Sequence, residues 1–145
     1  MIGLITCKKG INVYKDIMLN KSKKGVNMQD LTIETIKKAN DLRKQHLNLI
    51  NHCLNKGYYI SVHLWGDTKP ELDKSQNYEE IKKHAESSDM IDLCIYKKVD
   101  NEFNKIAWAM IVHGNNDDEL ISDYTAVKWL DEWAGKFEEF YEATA

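Results

Sequence analysis

The sequence predicts one α+β domain, in which helices cover one face of a small, largely antiparallel sheet. The helix-like and strand-like segments follow in the order α-β-α-β-β-α, which is segregated rather than strictly alternating. The chain has 145 residues, close to the usual size of one domain, and 43% of them are hydrophobic, which is sufficient for one packed core. We therefore expect a three-stranded sheet and a long C-terminal helix within a single domain, residues 31–145.

The first helix is expected to follow Thr32, which can cap it, and to continue through Cys53. Gly57 ends it, because glycine readily adopts the positive φ found at helix C-termini. Residues 58–65 then predict a strand, and neither face of it is very polar, so we expect it to be central in the sheet. The prediction of the helix depends on apolar or core-compatible residues at helical spacing: Ile36, Ala39, Leu42, His46, Leu49, Ile50 and Cys53.

A short helix and a strand pair are predicted next. Asn77, followed three residues later by Glu80, resembles a capping box and predicts the start of the short helix. Residues 90–98 alternate between apolar and more polar side chains, and residues 106–113 are a more continuous apolar run. Residues 99–104 between them have the polar content of a hairpin loop, so the two strands should pair antiparallel.

The last helix is expected over residues 122–143, with Ser122 or Asp123 as its cap. Acidic residues near its C-terminus oppose the helix dipole, so it needs tertiary packing to stay formed. The packing face is predicted by an apolar stripe at helical spacing: Ala126, Leu130, Trp133, Phe137 and Phe140.

The N-terminal segment, residues 1–30, is predicted to be a basic arm or a weak hairpin, because it is lysine-rich and its apolar pattern is weak. Residues 23–28 can be encoded by a purine-rich run of the kind that precedes a bacterial start codon. This gives a third hypothesis, in which Met28 is the natural start and residues 1–27 are a misread leader. Residues 1–57 carry eleven basic and four acidic side chains, whereas residues 58–145 carry nine basic and nineteen acidic ones.

Composition and motifs exclude several function classes. The three cysteines are widely separated and match no paired metal spacing, and no signal peptide or membrane span is recognisable, so we expect reduced thiols in a cytoplasmic protein. There is no glycine-rich phosphate loop, no Gly-x-Ser-x-Gly turn and no His-Glu-x-x-His, so no cofactor and no metal are expected. Arg43 is the only arginine, which makes sequence-specific nucleic-acid binding unfavourable.

Two histidines at predicted strand ends suggest one possible enzyme. His63 is followed by Asp67, and His113 is followed by Asp117. If the two strand ends meet at one edge of the sheet, the histidines can act as base and acid with a carboxylate assisting. The alternative function is therefore a small hydrolase or phosphoesterase that uses His63, His113, Asp67 and Asp117.

The acidic C-terminal part predicts the favoured function. Residues 114–145 contain nine acidic side chains against two lysines, with Glu138, Glu139 and Glu142 together near the end. Trp129 lies outside the apolar stripe, which fits either a wide buried face or an aromatic anchor in a protein interface. We expect a small noncatalytic accessory or regulatory protein, of phage or plasmid origin, that binds a protein with a basic surface. In one version its acidic surface imitates DNA.

Overall fold

The computed structural model of the chain describes residues 33–145. The predicted arm or leader of residues 1–30, the alternative start at Met28 and the cap at Thr32 lie outside the described residues. Within them, four helices and five strands follow one another in this order: α1 (Ile33–Asp41), α2 (Gln45–Asn55), β1 (Tyr59–Leu64), β2 (Leu72–Ser75), α3 (Tyr78–Ala85), β3 (Met90–Val99), β4 (Glu102–Val112), β5 (Ile121–Tyr124) and α4 (Lys128–Ala143).

The strands form one sheet in the order β2-β1-β3-β4-β5, and every neighbouring pair is antiparallel. The α+β class is confirmed, but the predicted sheet of three strands is corrected to five. The two additional strands, β2 and β5, have only four residues each. Strands this short carry too little alternation to be recognised alone, and they form because a longer strand provides their hydrogen-bonding partners.

The core lies between one face of the sheet and the helices. β1 has a neighbour on each side, as predicted for a central strand, and its residue Val62 is fully buried beside Leu93 of β3. Burying a side chain of this size contributes roughly 1.5–3 kcal/mol. One continuous cluster of buried side chains joins this face to α2, α3 and α4, and its sheet members are Ile60, Val62, Ile91, Leu93, Ile95, Ala107, Ala109, Ile111 and Ile121.

The predicted first helix is two helices in the structure. A turn at residues 42–44 separates α1 from α2, and Lys44 has an extended backbone, with φ −88° and ψ 124°. Gln45 fixes the start of α2, because its backbone N–H donates to the Asp117 carbonyl at 2.9 Å and its Oε1 accepts from the Ile121 N–H at 2.6 Å. The predicted stop at Gly57 is confirmed by its φ of +82°.

The short helix and the strand pair agree well with their predictions. Asn77 caps α3 by accepting a hydrogen bond from the Glu80 N–H at 3.0 Å. β3 and β4 pair antiparallel, as predicted, but the loop is shorter than residues 99–104. Only Asp100 and Asn101 connect the strands, and their φ values of 51° and 66° suit the tight two-residue turn that matches strand twist.

The last helix begins later than predicted. Ser122 and Asp123 belong to β5 and do not cap a helix; the residue before α4 is Val127, whose backbone is extended. The predicted packing face is confirmed from there on, because Leu130, Trp133 and Phe137 are buried. No helix in residues 33–145 is long and apolar enough to cross a membrane.

Candidate functional site

The sheet has two chemically different faces. Side chains alternate along each strand, so the neighbours of the core residues point away from the helices. We call this second side the open face. From β1, β3 and β4 it carries Tyr59, Ser61, His63, Asp92, Cys94, Tyr96, Trp108 and Met110.

His63 lies on the open face and is 9% exposed. Its Nδ1 is 3.2 Å from the backbone carbonyl oxygen of Asp67, so Asp67 contacts it through the main chain, and the Asp67 side chain is exposed. Directly across the strand pair lies Asp92, whose Oδ1 is buried and has no hydrogen-bond partner in residues 33–145. Within residues 33–145 the His63 side chain therefore forms no hydrogen bond with a carboxylate, either with Asp67 or with Asp92 across the strand pair.

His113 lies on the helical side of the sheet. Its Nε2 is 2.7 Å from the carbonyl oxygen of Ala85, at the end of α3, and its ring meets the His46 ring edge-on at 5.0 Å. Asp117 contacts α2 through its backbone carbonyl, while its side chain is exposed. The structure thus places His63 and His113 on opposite faces of the sheet, and neither forms a hydrogen bond with the carboxylate expected for it. An acid-base pair of these two histidines has no shared site.

A contact that the sequence did not predict links α2 to the end of α3. His46 is 1% exposed, and its Nε2 is 2.8 Å from Oε2 of Glu86. His46 belongs to the predicted apolar stripe of its helix, which explains its burial. Nothing in the local sequence indicates Glu86 as its partner, because the two residues are 40 positions apart and meet only when α2 and α3 pack together.

The electrostatics of this contact favour a neutral histidine. Burial lowers the pKa of His46, and the hydrogen bond to Glu86 only partly opposes that effect. The same hydrogen bond lowers the pKa of Glu86. Both pKa shifts agree with a neutral imidazole that donates its Nε2 proton to an ionised carboxylate. The other ring nitrogen, Nδ1, is buried without a partner in residues 33–145, so a second proton there would have no acceptor.

Trp129 is half-buried at the edge of the core. Its indole is stacked on the His52 ring at 6.0 Å and meets the Tyr58 ring edge-on at 5.3 Å. These contacts with α2 and with the residue before β1 show that the buried face of α4 is wider than the apolar stripe. Packing inside the protein therefore buries a large part of the Trp129 side chain.

The carboxylates predicted as an interface are exposed on α4. Glu138, Glu139 and Glu142 are all exposed, and Asp131 and Glu132 add two more acidic side chains one to two turns earlier. None of the five forms an ion pair within residues 33–145. Each of the five lies three, four or seven residues from the exposed Gly135. Residues at these spacings are neighbours on a helix surface, so the five carboxylates surround Gly135. We call these five residues the acidic ring.

Trp129 and the acidic ring point in different directions. An α-helix turns by about 100° per residue, so Trp129 lies about 180° from Glu138 and about 140° from Glu142. A flat partner surface cannot contact all three. The predicted interface of Trp129 with Glu138, Glu139 and Glu142 is therefore divided into an aromatic packing site and the acidic ring around Gly135.

The remaining candidate ligands are the Cys53 thiol and possible metal-binding side chains. The Cys53 thiol is fully buried, and burial raises its pKa, so it packs as a small apolar side chain. Within residues 33–145 no three His, Cys, Asp or Glu side chains converge in a way that could hold a metal ion.

Comparison of the chain with protein-family models, with curated proteins and with solved structures finds no match.

Proposed function

We propose that this chain is a noncatalytic accessory protein that binds a basic surface of another protein through the acidic ring. The observation that carries the proposal is the arrangement on α4. Five carboxylates without ion-pair partners in residues 33–145 surround Gly135, the one position in the ring that has no side chain. A lysine or arginine side chain of a partner can approach the helix backbone there and meet carboxylates on every side.

The same arrangement is unfavourable for the isolated helix. Glu138 and Glu142 are like charges four residues apart, which costs about 0.2–0.5 kcal/mol, and both lie at the negative end of the helix dipole. Gly135 costs a further ~1 kcal/mol relative to alanine in a helix interior. An added Cβ at this position would meet no atom within 4 Å, so nothing in the described part of the fold requires glycine there. Contact with a cationic partner would account both for the like charges near the end of α4 and for the glycine at position 135.

Charge density bears on whether the acidic surface imitates DNA. Duplex DNA carries about one negative charge per 1.7 Å of its axis. The acidic ring extends over eleven residue steps, roughly 17 Å of helix, and contains five carboxylates, which is about half that density. A local basic patch is therefore a better match than a groove that holds an extended duplex. The DNA-imitating version remains a narrower form of the proposal.

The alternative hydrolase loses its geometric basis, because His63 and His113 lie on opposite faces of the sheet. The noncatalytic proposal does not depend on them. It depends on charge, so it predicts a binding reaction that weakens as salt rises, since salt screens exposed charges over about 8–10 Å.

The test is capture of a partner from a native host on the immobilised full chain. The triple variant Glu138→Gln, Glu139→Gln and Glu142→Gln removes three carboxylates of the acidic ring with little change in shape. Its matched control removes three exposed carboxylates elsewhere, at Glu71, Glu102 and Glu119. We expect the partner to be basic, to be retained by the control and to be lost with the triple variant or with increasing salt. Equal retention by both variants would overturn the proposal.

A further inference from the structure

The open face carries a second cluster, near the turn of the β3-β4 hairpin, whose chemistry is the opposite of the acidic ring. Three aromatic rings and three lysines project from neighbouring strands on the same side of the sheet. We call them the aromatic-lysine cluster; they are Tyr59, Tyr96, Phe103, Lys74, Lys98 and Lys105.

Strand register brings the rings of this cluster together. Tyr59 of β1 lies directly opposite Tyr96 of β3, and the ring of Tyr59 meets that of Phe103 edge-on at 5.0 Å. Phe103 is 38% exposed, unusually open for a large apolar ring. Because these side chains come from three adjacent strands, they form a surface and not a single buried contact.

The lysines lie over these rings. The Lys74 Nζ is 4.8 Å from the Tyr96 ring centre and 5.7 Å from that of Phe103, and the Lys98 Nζ is 5.4 Å from the Phe103 ring centre. Of the three lysines in the cluster, only Lys74 forms an ion pair within residues 33–145, with the exposed Asp73 at 3.0 Å. Lys105, opposite Tyr96, adds a third ammonium group. The cluster thus combines ring surface with three lysines, two of which, Lys98 and Lys105, form no ion pair within residues 33–145.

We propose that the aromatic-lysine cluster binds single-stranded nucleic acid without sequence preference. Such sites combine cations, which follow the phosphates, with aromatic rings, on which unpaired bases stack. The absence of arginine from the cluster agrees with weak discrimination between bases. This inference concerns a different face from the acidic ring and does not rest on the function proposed for it.

The cluster matches single strands better than the other polyanions it could meet. A base pair in a duplex keeps its rings stacked and inaccessible, so the aromatic rings would add nothing to duplex binding. An acidic peptide would use the lysines but would leave the rings without a planar partner.

Fluorescence anisotropy of a labelled oligothymidylate of about 20 nucleotides, titrated with the full chain at about 50 mM salt, tests the proposal. We expect saturable binding with a Kd of about 1–100 µM. Phe103→Ala should weaken it by roughly five- to one-hundredfold, the usual effect of losing one stacked base. Lys98→Gln should reduce the slope of log K against log salt by about 0.7, as expected for one phosphate contact on a single strand.

Lys97 provides the matched control. It is adjacent to Lys98 and is also exposed, but strand alternation points it to the opposite side of the hairpin. Lys97→Gln should leave binding unchanged. Equal loss from Lys97→Gln and Lys98→Gln, or no loss from Phe103→Ala, would show general attraction to lysines and overturn the site. Failure to bind, or equally good displacement by polyglutamate of the same length, would also overturn it, the latter in favour of an acidic peptide. Circular dichroism of each variant establishes that it is folded.

Discussion

Arg43 donates a hydrogen bond from its Nε to the Oγ1 of Thr144 at 3.0 Å, which joins the turn between α1 and α2 to the end of α4. Its guanidinium lies 4.8 Å from the centre of the Tyr141 ring. α4 has no basic residue in its last turn, so its acidic C-terminus lacks a cation of its own. The only arginine of the chain provides that positive charge from a residue 101 positions away.

Replacement of Arg43 by Met should therefore destabilise the protein by about 1–2 kcal/mol. The change removes a charge-assisted hydrogen bond, a cation-ring contact and a favourable interaction with the helix dipole, while it keeps most of the apolar stem. Urea denaturation measures the free energy of unfolding. Arg43→Lys keeps the charge but not the planar group, and it should recover part of the loss. A change smaller than about 0.3 kcal/mol for Arg43→Met would contradict this role.

Trp133→Ala should cost about 3–5 kcal/mol, the usual loss on truncating a buried large aromatic side chain. Trp133 is 3% exposed, and its Nε1–H donates to Oδ1 of Asn48 in α2 at 2.8 Å. The matched control is Trp129→Ala on the same helix, which should cost less because Trp129 is only half-buried. Chemical denaturation compares the two. Equal losses would mean that the two indoles do not differ in burial as described.

These positions show how much of the fold the sequence predicts. The face of α4 was predictable because Leu130, Trp133 and Phe137 repeat at helical spacing in one continuous segment, and periodicity is a local property. That Ser122 and Asp123 belong to a strand was not predictable, because this strand depends on pairing with β4. Their capping propensity made them resemble a helix start, and tertiary pairing overrides such weak preferences.

The site was less predictable than the fold for a related reason. The acidic side chains of α4 were recognised from composition, but their separation from Trp129 follows from the turn angle of the helix. The placement of His63 and His113 on opposite faces depends on how β1 and β4 sit in the sheet relative to the helices. The contact between His46 and Glu86 requires two packed helices, which no local pattern in the chain encodes.

Gly135→Ala should stabilise the isolated protein by about 0.5–1 kcal/mol, because alanine favours the helix and its methyl group meets no atom within 4 Å. Gly57→Ala is the matched control. There too a Cβ would meet no atom within 4 Å, but the φ of +82° is strained for any residue with a side chain, so that variant should lose stability. Thermal or urea unfolding measures both. Destabilisation by Gly135→Ala would indicate that Gly135 is required by the fold itself, which would remove one support for the acidic ring as a contact site.

The buried pair of His46 and Glu86 predicts how stability depends on pH. The pKa of His46 is lowered by folding, so the unfolded chain takes up a proton near its ordinary pKa of about 6.5, whereas the folded protein takes it up only at lower pH. The stability that this histidine contributes is therefore fully present above about pH 6.5 and is lost as pH falls below it. The pKa of Glu86 is also lowered, so its contribution is lost at more acidic pH, below the ordinary carboxyl range.

The measurement is the free energy of unfolding in urea at several pH values between 8 and 5. We expect it to decrease towards pH 5, and His46→Gln should make the dependence shallower, because glutamine can still donate to Glu86 but does not titrate. His52 is the necessary comparison, since burial and then Lys56 and Lys136 lower its pKa in the same direction. His52→Gln should remove a separate part of the slope. If His46→Gln left the pH dependence of the wild-type protein unchanged, His46 would not be held neutral by burial.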